Sequence, residues 1–213
     1  MEAVFYSKKE ELANVITHGI GIILSIIGMT YLLIYSIQSG EARQIIGSVV
    51  FGITLIVMYT CSTLYHTFQT EKLKILFRKL DHVAIYLLIA GSYTPFTLVT
   101  LKNTSWGWTI FGVIWGLAVF GIIYKLTPLN RYKKLSLGLY LGMGWLVIFA
   151  AKPVMDLLDS NGLCLLILGG LTYTVGVVFY VWKKLPYNHA IWHLFVLGGS
   201  IFHFFSIFYY VIS

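Results

Sequence analysis

Two histidines in the run His189-Ala190-Ile191-Trp192-His193 are spaced i, i+4, so they share one face of a helix and can chelate a single metal ion. His66 and Asp81 lie more than a hundred residues upstream, in the runs Ser62-Thr63-Leu64-Tyr65-His66 and Lys79-Leu80-Asp81. Three neutral imidazoles with an open fourth position are the ligand set of a catalytic zinc, whereas closed structural sites use four protein ligands, usually including cysteines. An aspartate beside the open position would orient and deprotonate a water activated by the metal. Ser62, one helical turn before His66, would lie on the same face and could hydrogen-bond a carbonyl oxygen; its alternative is a bond back to its own helix. The same four groups could instead form a hydrogen-bonded cluster that ties helix ends together.

For these residues to meet, the elements carrying them must end at one face. The chain has 213 residues, is 58% hydrophobic and only 11% charged, and its apolar residues come in long runs. That excludes an ordinary soluble domain and predicts an all-α integral membrane protein. A helical crossing takes about 20 apolar residues. Seven stretches meet or approach this length, at about 12–37, 45–68, 83–101, 106–126, 135–151, 163–182 and 190–212, the fifth being the shortest. They fill residues 1–213 as a single seven-transmembrane domain with short loops. With alternating crossings, Lys8, Lys9, Lys72, Lys74, Arg78, Lys79, Lys125, Arg131, Lys133, Lys134, Lys183 and Lys184 fall on one side, and only Arg43, Lys102 and Lys152 on the other. The positive-inside rule then puts the N-terminus in the cytoplasm and the C-terminus outside. The net charge of +7 is accounted for by this distribution, so no nucleic-acid partner is implied. The first apolar stretch is longer than a signal-peptide core and lacks an evident small-residue cleavage site, which predicts that it is retained.

On this topology His66 closes the second span, Asp81 precedes the third, and His189 and His193 open the seventh after Pro186, with Asn188 as the expected helix cap. All four reach the cytoplasmic side of the membrane. A helix N-terminus disfavours imidazolium, and neutral imidazole is the metal-binding form. Glu11, Asn14 and His18 form a polar stripe on the first span at the same end, expected to face the cluster; any of them could support a ligand, and a purely structural role in the helix bundle is the expectation for Glu11 and Asn14. His203 is ten residues beyond His193, about 15 Å along a helix, and so is placed outside the first shell, lining a cavity. His82 points about 100° away from Asp81 on a helix and is left out of the site. Cys61 and Cys164 fall near opposite membrane faces, which excludes a disulfide and predicts two packing residues. Gly112 with Gly116, and Gly138 with Gly142, have the small-xxx-small spacing of close helix contacts. Trp106, Trp108, Trp182, Tyr209 and Tyr210 read as interfacial anchors, and Pro95 as a kink in the third span.

Several of these runs occur together with Glu11-Leu12-Ala13-Asn14-Val15-Ile16-Thr17-His18-Gly19 and Gly91-Ser92-Tyr93-Thr94-Pro95. As a set they resemble the progestin and adiponectin receptor superfamily, in particular its bacterial hemolysin III branch. The resemblance runs from the first span through the seventh. It implies a seven-helix bundle in the cell membrane, with zinc held by His66, His189 and His193 and with Asp81 contacting the zinc-bound water. It also carries two functional expectations. One is zinc-dependent hydrolysis of amide- or ester-linked lipids, as in the receptors and the similar alkaline ceramidases, with the helices admitting an acyl chain from the bilayer. The other is a pore-forming cytolysin or membrane-state regulator in which the metal is structural and the chain forms homo-oligomers. Against a pore within one protomer, the outer halves of the spans are almost wholly apolar. The expected partners are the bilayer and, on the first reading, a lipid substrate.

Overall fold

A computed structural model of the chain describes residues 4–127 and 133–212. Arg131 and Ser213 lie outside the described residues, as do the side chains of Lys133 and Lys134.

The first helix, α1, runs from Lys8 to Ser39. Ser7 caps it by accepting from the Glu10 N–H while the Glu10 side chain accepts from the Ser7 N–H, and Gly40 ends it in the left-handed region at φ 70. α2 spans Ala42–Thr67. α3 spans Glu71–Pro95 and continues into a π turn over Phe96–Thr100. α4 is Ser105–Leu126 and α5 is Lys133–Gly144. A 3-10 turn over Leu146–Ala150 leads into α6, Ala151–Leu157. α7 is Ser160–Val181, and α8 is Asn188–Ile207 followed by a π turn over Phe208–Ile212. Counting the α5–α6 segment as one crossing, seven helical segments among the described residues are long and apolar enough to span a membrane.

α1 packs on α2, α2 on α3, α3 on α4 and α7 on α8, and α1 meets α8 to bring the last span back against the first. A long core that includes Leu32, Phe51, Leu55, Met58, Tyr59, Leu88 and Val196 joins α1, α2, α3 and α8. A smaller one, built on Tyr86, Ala90, Ile114, Ala118 and Met143, joins α3, α4 and α5. Outside the bundle, residues such as Ile23, Ile34, Phe120 and Ile123 are exposed. Hydrocarbon is a suitable solvent for that surface, so burial is not what drives these helices together; close packing and interhelical hydrogen bonds are. Ser200 Oγ, for example, is 2.8 Å from both the Tyr59 and the Tyr173 hydroxyl, linking α8 to α2 and α7. Ser206 Oγ donates to the Gly162 carbonyl at 2.7 Å, again from α8 to α7.

Some boundaries and contacts differ from those read in the sequence. The helix that carries the third apolar stretch begins at Glu71, ahead of residue 83, because the charged turns around Lys74 and Arg78 are helical and not part of a loop. The helical segment that carries the fifth stretch continues past 151 to Leu157, with the helix re-formed after the 3-10 turn. Among the described residues, Gly112, Gly116, Gly138 and Gly142 have nothing within 4 Å of an added Cβ, so these pairs do not make the close helix contacts expected of them there. The close approach is made elsewhere, at Gly91, where a Cβ would lie 2.1 Å from Thr54 Oγ1 of α2. Cys61 is half-buried against the long core, but Cys164 is exposed and is not a packing residue.

Candidate metal centre

His66 sits in the last turn of α2, and His189 and His193 in the first two turns of α8. All three are buried, and one ligand nitrogen from each lies within 4.8 Å of the others. The ring centroids are 5.0 Å apart for His66 and His189, 5.1 Å for His66 and His193, and 4.5 Å for His189 and His193. Three residues separated by up to 127 positions are thus brought to one point by the packing of α1 against both α2 and α8.

The nitrogens facing away from this point are held by α1. His66 Nδ1 is 2.6 Å from Glu11 Oε2, and the Asn14 side chain lies 3.2 Å from the same nitrogen. The other Glu11 oxygen accepts from Lys74 Nζ of α3. Thr17 Oγ1 is 3.2 Å from His193 Nδ1. The threonine's single proton is committed to its own helix, at the Ala13 and Asn14 carbonyls 2.9 and 3.0 Å away, so toward His193 the oxygen accepts from Nδ1–H. His66 Nε2 and both ring nitrogens of His189 have no protein partner among the described residues although they are buried. Buried polar nitrogens are costly to leave unsatisfied. A divalent ion that prefers nitrogen donors satisfies them, and an all-imidazole set suits zinc. The residues present therefore fit the ion that their types suggested.

Asp81 and Ser62 are buried, but neither belongs to this cluster. The group that could hold a metal ion among the described residues comprises the three histidines, while the Asp81 carboxylate neighbours Ser62 and the cations Arg78 and Lys125. Ser62 Oγ makes no hydrogen bond of normal geometry. His82 donates from Nδ1 to the Arg78 carbonyl at 2.6 Å and stays out of the cluster, as its helical angle predicts.

The stripe on α1 faces the site as expected: Glu11, Asn14 and His18 are all buried. His18 stacks on His193, with centroids 3.5 Å apart and planes 13° from parallel, and meets the Tyr59 ring edge-on at 5.0 Å. His203 lies elsewhere, with Nε2 donating to the Leu166 carbonyl at 3.3 Å and the ring against Gly169, so it is a packed interhelical residue and lines no part of this site. Asn188 is not the cap of α8. That position is taken by Tyr187 in the left-handed region at φ 55, and Asn188 Nδ2 instead donates to the Phe179 and Tyr180 carbonyls at the end of α7.

The sequence reading missed two groups. Lys74 is fully buried against Glu11, and its spacing with Arg78 and Asp81, i, i+4, i+7, is the signal that these form one helical face. Tyr6 stacks on His189 at 5.1 Å, and its N–H donates to Glu11 Oε1 at 3.3 Å. Tyr65 OH donates to the Val4 carbonyl at 3.3 Å, so the segment before α1 lies over the cluster. Burial pushes the Tyr6 phenol well above its ordinary pKa, which keeps it neutral. No apolar run or helix period marks this segment.

A family model described as Haemolysin-III related matches residues 6–204, from Tyr6 past the last metal-ligand candidate. The chain belongs to the haemolysin-III family. It is 50% identical over 204 residues to "Hemolysin-3" of Bacillus cereus, covering 96% of this chain and 93% of that protein. With the "Hemolysin-3 homolog" of Bacillus subtilis (strain 168) it shares 46% over 208 residues, covering 98% and 97%. Similarity extends to the human "Monocyte to macrophage differentiation factor", 32% identical over 213 residues and covering 95% and 84%, in keeping with the progestin and adiponectin receptor superfamily. This haemolysin-III chain, with its seven spans, is a multi-pass membrane protein, consistent with the cell membrane.

Proposed function

We propose that this haemolysin-III protein binds zinc through His66, His189 and His193 and hydrolyses an amide- or ester-linked lipid. The observation that carries the reading is the set of three buried imidazoles with nitrogens within 4.8 Å of one another, one of them backed by a carboxylate. A zinc ion held there acts as a Lewis acid that polarises a carbonyl and acidifies water. The chain's own residues do the rest. Asp81 accepts the proton of the attacking water on its carboxylate, while Ser62 Oγ–H donates to the carbonyl oxygen as negative charge builds on it. When the carbon–nitrogen or carbon–oxygen bond breaks, the Asp81 proton passes to the leaving amine or alkoxide, giving a carboxylic acid and an amine or alcohol. The basic asymmetry of the sequence puts this chemistry at the cytoplasmic side.

A lipid is the favoured substrate because of what adjoins the cluster. A cavity of about 630 Å³ between α1, α2 and α8 is lined by Leu24, Ile27, Leu55, Leu197, Phe204 and Tyr59 among others. Leu24 and Ile27 are also exposed on the lipid-facing surface, so an acyl chain enters sideways. At its inner end Tyr59 touches His18, which stacks on His193. The test is release of fatty acid from N-acyl and O-acyl lipids by protein reconstituted in liposomes. Turnover that a chelator removes and zinc restores supports the reading; no turnover on either lipid class with zinc bound contradicts it.

A lytic role rests on a different observation, the name "Hemolysin-3" of the Bacillus cereus relative. In that reading the ion only staples α2 to α8, and several copies form the membrane lesion. Lysis of target membranes by folded, metal-free protein would favour it over the hydrolase.

A further inference from the structure

We infer that Glu11 and Lys74 are a positioning pair that sets which nitrogen of His66 faces the other two histidines. The inference rests on the zinc reading above for its consequence, but its geometry stands apart from it. Glu11 is on the first turn of α1 and Lys74 on the first turn of α3, and between them they reach a ligand candidate on the last turn of α2. Both contacts are short, 2.6 Å to His66 Nδ1 and 2.5 Å from Lys74 Nζ, and the Lys74 and His66 side chains are completely buried.

Consider what each group can do. A carboxylate only accepts hydrogen bonds, and Lys74 has only donors to offer. Nζ–H therefore donates to Glu11 Oε1, and its charge holds the carboxylate ionised in a place where a lone charge would be very unfavourable. An ionised Glu11 needs a proton on the nitrogen facing Oε2, so His66 carries its hydrogen on Nδ1 and presents the Nε2 lone pair to the cluster. His66 Nε2 is the atom left without a protein partner, as this assignment requires. Asn14 alone would not enforce the choice, because its amide offers a donor on one side and an acceptor on the other.

Lys74 also has a reason to be at this point and not in solvent. Its ammonium lies 4.7 Å from the Tyr65 ring centre and 5.7 Å from that of Phe5, two aromatic faces that replace part of its lost hydration. One buried carboxylate thus links three helices, and the orientation of His66 depends on residues that touch neither the ion nor a substrate.

The decisive experiment uses two readouts on the full chain. In metal-free wild-type protein, ¹⁵N NMR of His66 reports the tautomer: the Nδ1–H form is expected, and an Nε2–H form overturns the inference. Zinc affinity is then measured by competition with a chromophoric chelator. Glu11→Gln is expected to weaken it about 10- to 100-fold, the range seen when the carboxylate behind a ligating histidine is lost. Lys74→Met should weaken it in the same direction, and Lys74→Arg, which retains the charge, should recover part of the loss. Wild-type affinity in Glu11→Gln also overturns the inference. If the variants do not fold, the wild-type tautomer decides. A wild type that takes up no zinc sinks the metal reading alone, since the tautomer is read without metal.

Discussion

Replacing Asp81 with asparagine separates proton transfer from metal binding. The substitution is close to isosteric, so it opens no cavity at a position that is 8% exposed. The three imidazoles grouped for metal binding are all left in place, and Asp81 is not among them. Zinc content should therefore stay near that of the wild type. What disappears is an acceptor for the proton of the attacking water. Loss of a general base lowers turnover by about 10²- to 10⁴-fold, equivalent to about 3–5.5 kcal/mol in the barrier at ~1.4 kcal/mol per decade. Arg78 and Lys125 keep their places but lose a nearby carboxylate, and the accompanying Tm reports what that does to the fold. The assay is fatty-acid release in proteoliposomes, with zinc content and Tm measured on the same preparations. Unchanged turnover in zinc-loaded Asp81→Asn would refute the proton-transfer role. Loss of zinc as complete as in His66→Ala would show that Asp81 supports the ion and not the water.

Two further outcomes follow from the packing and the charge distribution. Gly91→Ala pushes a methyl group to within 2.1 Å of Thr54 Oγ1 and should destabilise the bundle by about 1–3 kcal/mol, lowering Tm in detergent, whereas Gly112→Ala, with nothing within 4 Å, should be neutral or slightly stabilising. Reporter fusions after Lys184 should lie in the cytoplasm and fusions after Ser213 outside; both ends on one side would mean an even number of crossings.

The crossings were legible because a membrane span is a property of composition over about 20 residues, and so were the histidines that close α2 and open α8. Helix ends were less so. Hydropathy marks where apolar residues begin, and α3 begins 12 residues earlier than its apolar run, in charged turns where Lys74 faces protein. Lys74 shows why: a lysine beside a span reads as a loop charge unless its partner is known, and Glu11 is 63 residues away. Glycine spacing failed for a related reason. A small-xxx-small pair states that a close contact is sterically possible, and Gly112 and Gly116 face no neighbour, while the contact at Gly91 depends on Thr54 of another helix. Asn188 has the residue type of a helix cap, but the left-handed Tyr187 precedes it and the α7 carbonyls claim its side chain. Most of these misses turn on whether another segment lies against the residue, which local spacing does not encode.

The central claim is that His66, His189 and His193 form one zinc site, and the direct measurement is metal content by mass spectrometry of protein purified without chelator or added metal. One zinc per chain is expected in the wild type, falling well below one in each of His66→Ala, His189→Ala and His193→Ala. A folded wild type without zinc, or alanine variants that keep it, would contradict the account.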